Sequence, residues 1–215
     1  MDDNNLILAI QKNGRLTEET ISFLKQSGLE FEISNQRLYS YCNNFPLRII
    51  YIRDDDIPFY IKSGVVDLGI VGQNILYESN SSAKCVIKLN FGFCSLSIAV
   101  SKKAAINNLK QLKNTRIATS YPNSTNAYFR KKNIPVRVIT VKGSVEITPV
   151  LGISDAIVDL VSTGRTLELN DLRVIEKIYD SQAVVIANEI SSFPIYKKIF
   201  AKKLLNRFRK VLSKN

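Results

Sequence analysis

Three observations in the sequence predict an α/β fold of two similar lobes. Short apolar runs alternate with helix-patterned segments, the arrangement of parallel β-α-β units. The same order recurs in the second half of the chain. In addition, SGVVDLGIVGQNILYE and LGISDAIVDLVSTGRTLE echo each other: each gives Gly, two residues, Asp, an apolar strand, a small-residue turn and a helix.

In the first half, LILAI (6–10) reads as a buried strand and residues 16–28 as an amphipathic helix closed by Gly28. Residues 47–52 give a second strand, 56–64 a short helix with Pro58 in its first turn, and 65–72 a third strand. The second half repeats this with a strand at 115–120, a helix at 124–133, a strand at 136–141, a helical turn or two at 144–152 and a strand at 156–161. The apolar segments 94–103 and 181–189 flank that second series and are expected to cross between lobes. Lobe 1 is then 1–93 plus 182–215 and lobe 2 is 94–181, with a ligand cleft between them. Ligands of parallel α/β sheets sit beyond the carboxyl ends of strands, so the loops after Ile10, Ile52, Val71, Ser120, Val141 and Val161 are the ones to search.

At 215 residues and 45% hydrophobic side chains, the chain can bury a substantial core. No run approaches the roughly 18–20 apolar residues of a membrane span, and the start is acidic where a secretory signal is basic. A cytoplasmic protein without membrane association is expected. Cys42, Cys85 and Cys94 lack CxxC spacing, which suggests neither a disulfide framework nor a zinc site. There is no histidine, which excludes imidazole bases and Ser-His or Cys-His nucleophiles. Of the net charge of +11, eight positive charges fall after Ser191 without an acid, leaving +3 for the rest. Ile195, Ile199, Leu204, Leu205, Phe208 and Leu212 keep helical spacing there, so the tail reads as a basic amphipathic helix packed on its own domain or a partner subunit. Nucleic acid is not expected as a partner; RNA or lipid binding through this helix is the alternative.

Chemistry points to Ser162-Thr163-Gly164-Arg165-Thr166. Backbone N–H groups and three hydroxyls converge there at a helix start, which is a phosphate cradle, with Gly164 allowing close approach and Arg165 adding charge or facing solvent. Asp159 lies three residues earlier in an apolar strand, where a carboxylate is costly unless paired, and is placed to accept hydrogen bonds from a ribose diol. Asp155, about 13 Å upstream in an extended chain, cannot grip the same sugar directly and is grouped with it as a brace of the opening turn. Lys12, Arg15, Arg37 and Arg53 stand at or near predicted strand ends and suit a polyanionic group. GIVGQN, with Gly72, resembles an anion-binding turn without the P-loop lysine. A sugar-phosphate cradle and cations for a second polyphosphate suggest phosphoribosyl transfer with pyrophosphate leaving, chemistry that needs charge compensation more than a strong base.

Together LILAIQKNGRL, RDDDIP, SGVVDLGIVGQNIL, RIATSYP, GSVEITP and SDAIVDLVSTGRTLELNDL resemble the ATP phosphoribosyltransferase family, in one order from residue 6 to about 190. The resemblance implies a two-lobed fold like that of periplasmic binding proteins. It implies condensation of adenine N1 of ATP with phosphoribosyl pyrophosphate, with Mg²⁺ carried by the substrates and no protein metal site. On this chain it assigns the ribose to Asp159, the 5′-phosphate to Ser162–Thr166, and the catalytic role of neutralising pyrophosphate and triphosphate to Lys12, Arg15, Arg37 and Arg53. Asp67, Gly72, Tyr121 and Glu146 join the substrate-binding set, Tyr121 being equally assignable to core. Gln73, Ser95 and Thr148 depart from the family's usual Glu, basic residue and Ala.

The chain stops where long forms of the family continue into a histidine-binding domain, so it is either a trimmed long form or a native short form. A short form implies a partner similar to a histidyl-tRNA synthetase; a homo-oligomer is expected in either case. The competing reading is a non-catalytic solute-binding or effector-sensing domain of the same build.

Overall fold

The computed structural model describes residues 4–33 and 38–214. In chain order the elements are β1 (Leu6–Gln11), α1 (Thr17–Gln26), β2 (Tyr39–Tyr41), β3 (Leu47–Ile52), α2 (Ile57–Lys62), β4 (Leu68–Gly72), α3 (Gln73–Ser79), β5 (Lys84–Lys88) and β6 (Cys94–Ser101). They continue with β7 (Arg116–Thr119), α4 (Pro122–Lys131), β8 (Arg137–Thr140), β9 (Ala156–Val161), α5 (Arg165–Leu169), β10 (Leu172–Ser181), β11 (Ala183–Ala187) and α6 (Ile195–Leu212). Short 3-10 turns at Asp54–Asp56, Leu109–Leu112, Val145–Ile147 and Ile190–Ser192 complete the set. No described helix is long and apolar enough to cross a membrane.

The chain divides into two compact units: residues 1–92 with 182–215, and residues 93–181. Unit 1 holds a six-stranded sheet in the order β2-β3-β1-β4-β11-β5, in which β3, β1 and β4 are parallel and the others antiparallel to a neighbour. Central β4 is buried at every residue because cores lie on both faces. On one face α6 sets Ala201, Leu204, Leu205 and Phe208 against Phe23 and Leu24 of α1. Burying Phe208 alone contributes about 1.5–3 kcal/mol. The basic tail is therefore a structural helix of its own unit, although Ile195 and Ile199, which share the apolar spacing, stay 77% and 48% exposed.

Unit 2 holds a five-stranded sheet in the order β10-β6-β9-β7-β8, with β9, β7 and β8 parallel and β6 antiparallel to both β9 and β10. Alternation sorts β9 cleanly: Ala156, Val158 and Leu160 meet one apolar cluster, Ile157 and Val161 the other.

Several boundaries differ from the sequence reading. The strand expected over 65–72 begins only at Leu68. The helix expected from 124 begins at Pro122, proline being suited to the first turn. The helix after the cradle is five residues long and is stopped at Asn170 and the positive-φ Asp171. Strands β2, β5 and the ten-residue β10 were not expected. β10 lacks a period of two because its pairing with β6 shifts register twice, between Val174 and Glu176 and between Lys177 and Tyr179.

Candidate functional site

In unit 2 the carboxyl end of β9 carries the arrangement the sequence suggested. Asp159 points to the face of the sheet that also carries the Val145–Ile147 turn and α5. It accepts a hydrogen bond from the N–H of Leu160 at 2.8 Å and has no cation within ion-pair distance among the described residues. Burial, with the Glu146 carboxylate nearby as a further cause, pushes its carboxyl up to about 6. Opposite Asp159 on β6 stands Ser97, 2% exposed, whose hydroxyl lies 3.0 Å from that of Ser95. Ser95 is opposite Val161, one residue before the cradle.

The cradle is open. Ser162, Thr163, Arg165 and Thr166 are exposed, and Gly164 caps α5 with φ +78°, a left-handed conformation that favours glycine. A Cβ added to Gly164 would meet no atom within 4 Å, so its role is conformation and access, not packing. The local bonds are weak: Arg165 N–H to Thr163 Oγ1 at 3.4 Å and Ser162 Oγ to the Phe93 carbonyl at 3.3 Å. The first-turn amides of a helix have no intrahelical acceptor, and in α5 their only partner among the described residues is the long contact from Arg165 to Thr163 Oγ1.

Tyr121 is half-buried and packs against the core of unit 2, and its carbonyl accepts from Thr125. Thr148, one of the departures, is buried and bonded to the Val145 carbonyl and the Ser154 hydroxyl.

Asp155 and Asp67 are elsewhere, and here the grouping with substrate-binding residues is corrected. Each precedes the amino end of its strand, β9 or β4, and each closes a two-bond ring with the neighbouring strand. The Asp155 N–H donates to the Arg116 carbonyl at 2.9 Å, and its Oδ2 accepts from the Arg116 N–H at 2.8 Å. The Asp67 N–H donates to the Ile7 carbonyl at 3.1 Å, and its Oδ2 accepts from the Ile7 N–H at 2.7 Å. Both Asp155 oxygens also bind the Arg116 guanidinium, which holds its carboxyl below the usual range. Both Asp67 oxygens also bind Lys197 Nζ of α6, at 2.8 and 2.9 Å. Asp67 is 5% exposed with donors on both oxygens, and it stands at the opposite end of β4 from the Gly72 turn.

In unit 1 the carboxyl ends of adjacent β1 and β3 bring Lys12 and Arg53 together, because Gln11 pairs with Ile52 and the Lys12 N–H donates to the Ile52 carbonyl. Gln11 ties the two loops, its side-chain amide donating to Asp54 at 3.1 Å and accepting from the Leu16 N–H at 3.3 Å. Lys12, Arg15 and Arg53 are exposed and without an ion pair among the described residues. Arg15 is partly committed, donating to the Gly92 carbonyl at 2.7 Å. Arg37 lies outside the described residues. At Gly72 the following Gln73 N–H is already engaged by the Gln182 carbonyl, and its side chain donates to the Tyr77 hydroxyl.

Reading the sequence alone missed the Ser95–Ser97 pair as a neighbour of Asp159. The signal was available: CSLSIAVS alternates hydroxyls with Leu96, Ile98 and Val100.

A family model described as ATP phosphoribosyltransferase matches residues 53–210. An ATP phosphoribosyltransferase of Cytophaga hutchinsonii is 44% identical over 182 residues, 85% of this chain and 64% of that protein. The chain thus spans less than two thirds of that relative's length. A chain of the ATP phosphoribosyl transferase (HisG:HisZ) complex from Thermotoga maritima superposes with a TM-score of 0.81 at 32% identity, covering 96% of this chain and 97% of that one. The arginine-, lysine-, histidine-binding protein ArtJ from Geobacillus stearothermophilus superposes at 0.59 with 16% identity, covering 98% and 90%, which shows a common fold alone.

Proposed function

Because the chain belongs to the ATP phosphoribosyltransferase family, we propose that it condenses ATP with phosphoribosyl pyrophosphate to N1-(5-phosphoribosyl)-ATP and pyrophosphate, the first step of histidine biosynthesis. The observation that carries this reading is Asp159: a mostly buried carboxylate with no ion-pair partner among the described residues, three residues before an open, glycine-capped cradle. Hydroxyl donors from a ribose diol would favour its ionised form and offset its desolvation. The amides and hydroxyls of Ser162–Thr166 would hold the 5′-phosphate. Glu146 would share the sugar hydroxyls with Asp159, and Tyr121, two residues beyond the carboxyl end of neighbouring β7, would border the nucleotide.

With the sugar anchored, the adenine N1 lone pair forms a bond to the anomeric carbon while the bond to pyrophosphate oxygen breaks, its electron pair leaving with pyrophosphate. The exocyclic amino group then gives up one proton to solvent. Lys12, Arg15 and Arg53, with Arg37, would neutralise polyphosphate oxygens. Positive charge accumulates on the sugar and negative charge on the leaving group, so fixed cations and carboxylates lower the barrier without a strong base. This suits a chain without histidine.

Mg²⁺ would arrive on the polyphosphates. Among the described residues no group of three or more His, Cys, Asp or Glu is arranged to hold an ion, and the Asp159–Glu146 pair could at most touch one through the substrate. A homo-oligomer, and a partner similar to a histidyl-tRNA synthetase, are part of this reading; the similarity to a chain of the HisG:HisZ complex supports the hetero-oligomeric part.

The test is an assay for phosphoribosyl-ATP from ATP, phosphoribosyl pyrophosphate and Mg²⁺, with the purified chain alone and then with a synthetase-like subunit. Product in either arm is expected. Absence of product in both, with a folded protein that still binds a small solute, favours the solute-binding alternative.

A further inference from the structure

We infer that Lys177 is a ligand-binding cation of unit 2, held by Asp180 until a phosphate group of the bound ligand takes its place. This rests on the proposed sugar-phosphate site and adds a residue to it. Lys177 of β10 pairs with Ser97 of β6, which pairs with Asp159 of β9. Directly opposite residues of antiparallel strands share a face, so Lys177, Ser97 and Asp159 form one row across the sheet. Asp180 pairs with Ser95 in the same way, one step nearer the cradle.

A regular strand would not allow this arrangement, since residues three apart point to opposite faces. The register shift between Lys177 and Tyr179 changes the count. Ile178 and Tyr179 both turn to the apolar cluster on the other face, and Asp180 returns to the side of Lys177. The bulge therefore keeps both charges on the Asp159 face, the kind of re-aiming bulges perform beside binding sites. Stability does not account for it. The pair is exposed, 56% for Lys177 and 73% for Asp180, and such pairs contribute little to folding.

The pair is also easily opened. Lys177 Nζ spends two donors on Asp180, at 2.9 and 3.0 Å, and an ammonium has three. The Asp159 carboxylate, with Glu146 nearby, has no cation within ion-pair distance among the described residues. Lys177 is the cation in its own row. Two strand spacings, about 10 Å, separate the Lys177 backbone from that of Asp159, and an extended lysine over Ser97 shortens that distance to a phosphate on the sugar. The recognised chemistry is phosphate oxygen, from a 5′-phosphate or from a diphosphate.

Calorimetric titration of the whole chain with ribose 5-phosphate, pyrophosphate and phosphoribosyl pyrophosphate tests this. K177M should weaken the responsive probe about tenfold, K177R should restore most of it, and D180N, which releases the lysine, should tighten it several-fold. Response to ribose 5-phosphate assigns the cation to the 5′-phosphate, and response to pyrophosphate assigns it to the diphosphate. Wild-type binding that neither K177M nor D180N changes overturns this inference and leaves the proposed reaction standing. A wild type that binds none of the probes removes both.

Discussion

Replacing Asp159 by Asn should remove a carboxylate that burdens the free protein. Raising a carboxyl from 3.8 to about 6 corresponds to about 3 kcal/mol between its protonated and ionised forms. The folded state keeps this proton at pH values where the unfolded chain has lost it. Stability contributed by the protonated group is therefore full below about pH 4 and falls as pH rises towards 6, above which the whole penalty is present. D159N keeps an acceptor for the Leu160 N–H and loses the charge. Its stability relative to wild type should rise across that window and level off near a gain of up to about 3 kcal/mol. At this chain length that is roughly 2–4 °C in Tm for each kcal/mol. Calorimetric scans of both proteins at several pH values between 3.5 and 8, on the order of the window set by the shifted carboxyl, provide the readout, with turnover and sugar-phosphate binding measured alongside. Binding should fall even as Tm climbs. A Tm difference that is constant with pH, or a D159N variant that binds the sugar phosphate as the wild type does, refutes the reasoning.

Removing the Asp155 carboxylate should have the reverse pattern: D155N loses stability at neutral pH and converges on wild type as pH falls below 3.8, because Arg116 lowers this carboxyl in the folded state. Sugar-phosphate affinity should be unchanged within about twofold by titration. K197M strands a buried Asp67 and should cost about 3–5 kcal/mol in urea unfolding, and the double change K197M/D67N should recover part of it. G164A forces alanine to φ +78° at a cost of about 1–2 kcal/mol. Since its Cβ meets nothing, the protein should fold and the loss should appear in ribose 5-phosphate binding.

What could be read from the sequence depended on whether a pattern had one physical cause. β9 was legible because an apolar alternation and a glycine-turned helix start are local, and Asp159 stood out as a carboxylate in that run. β10 was not legible because two bulges erase its period, and the Lys177–Asp180 pair depends on one of them. β2 and β5 are short outer strands whose existence rests on pairing with β3 and β11, not on their own residues. The cations of unit 1 were legible singly. That Lys12 and Arg53 are neighbours, and that Arg15 is tethered to Gly92, depends on register and on Gln11, which no local pattern encodes.

The Gly-x-x-Asp echo shows how a correct pattern can lead to an incomplete assignment. It is a real repeat, but Asp67 and Asp155 are in it for the same structural reason, a two-bond ring that pins the start of one strand to its neighbour. The rings differ in the balancing cation: Arg116 within the ring itself, and Lys197 brought 130 residues along the chain by α6. Fixing each strand at its amino end sets the register that delivers its carboxyl end, so the loops there can diverge without disturbing the sheet. In unit 1 that loop spends its leading amide on Gln182. In unit 2 the leading amide of α5 meets only the Thr163 hydroxyl among the described residues, at 3.4 Å, and there a second aspartate, Asp159, breaks the apolar alternation. That second aspartate has no counterpart in LGIVG of the first repeat, and a carboxylate with no ion-pair partner among the described residues is the one a ligand must account for.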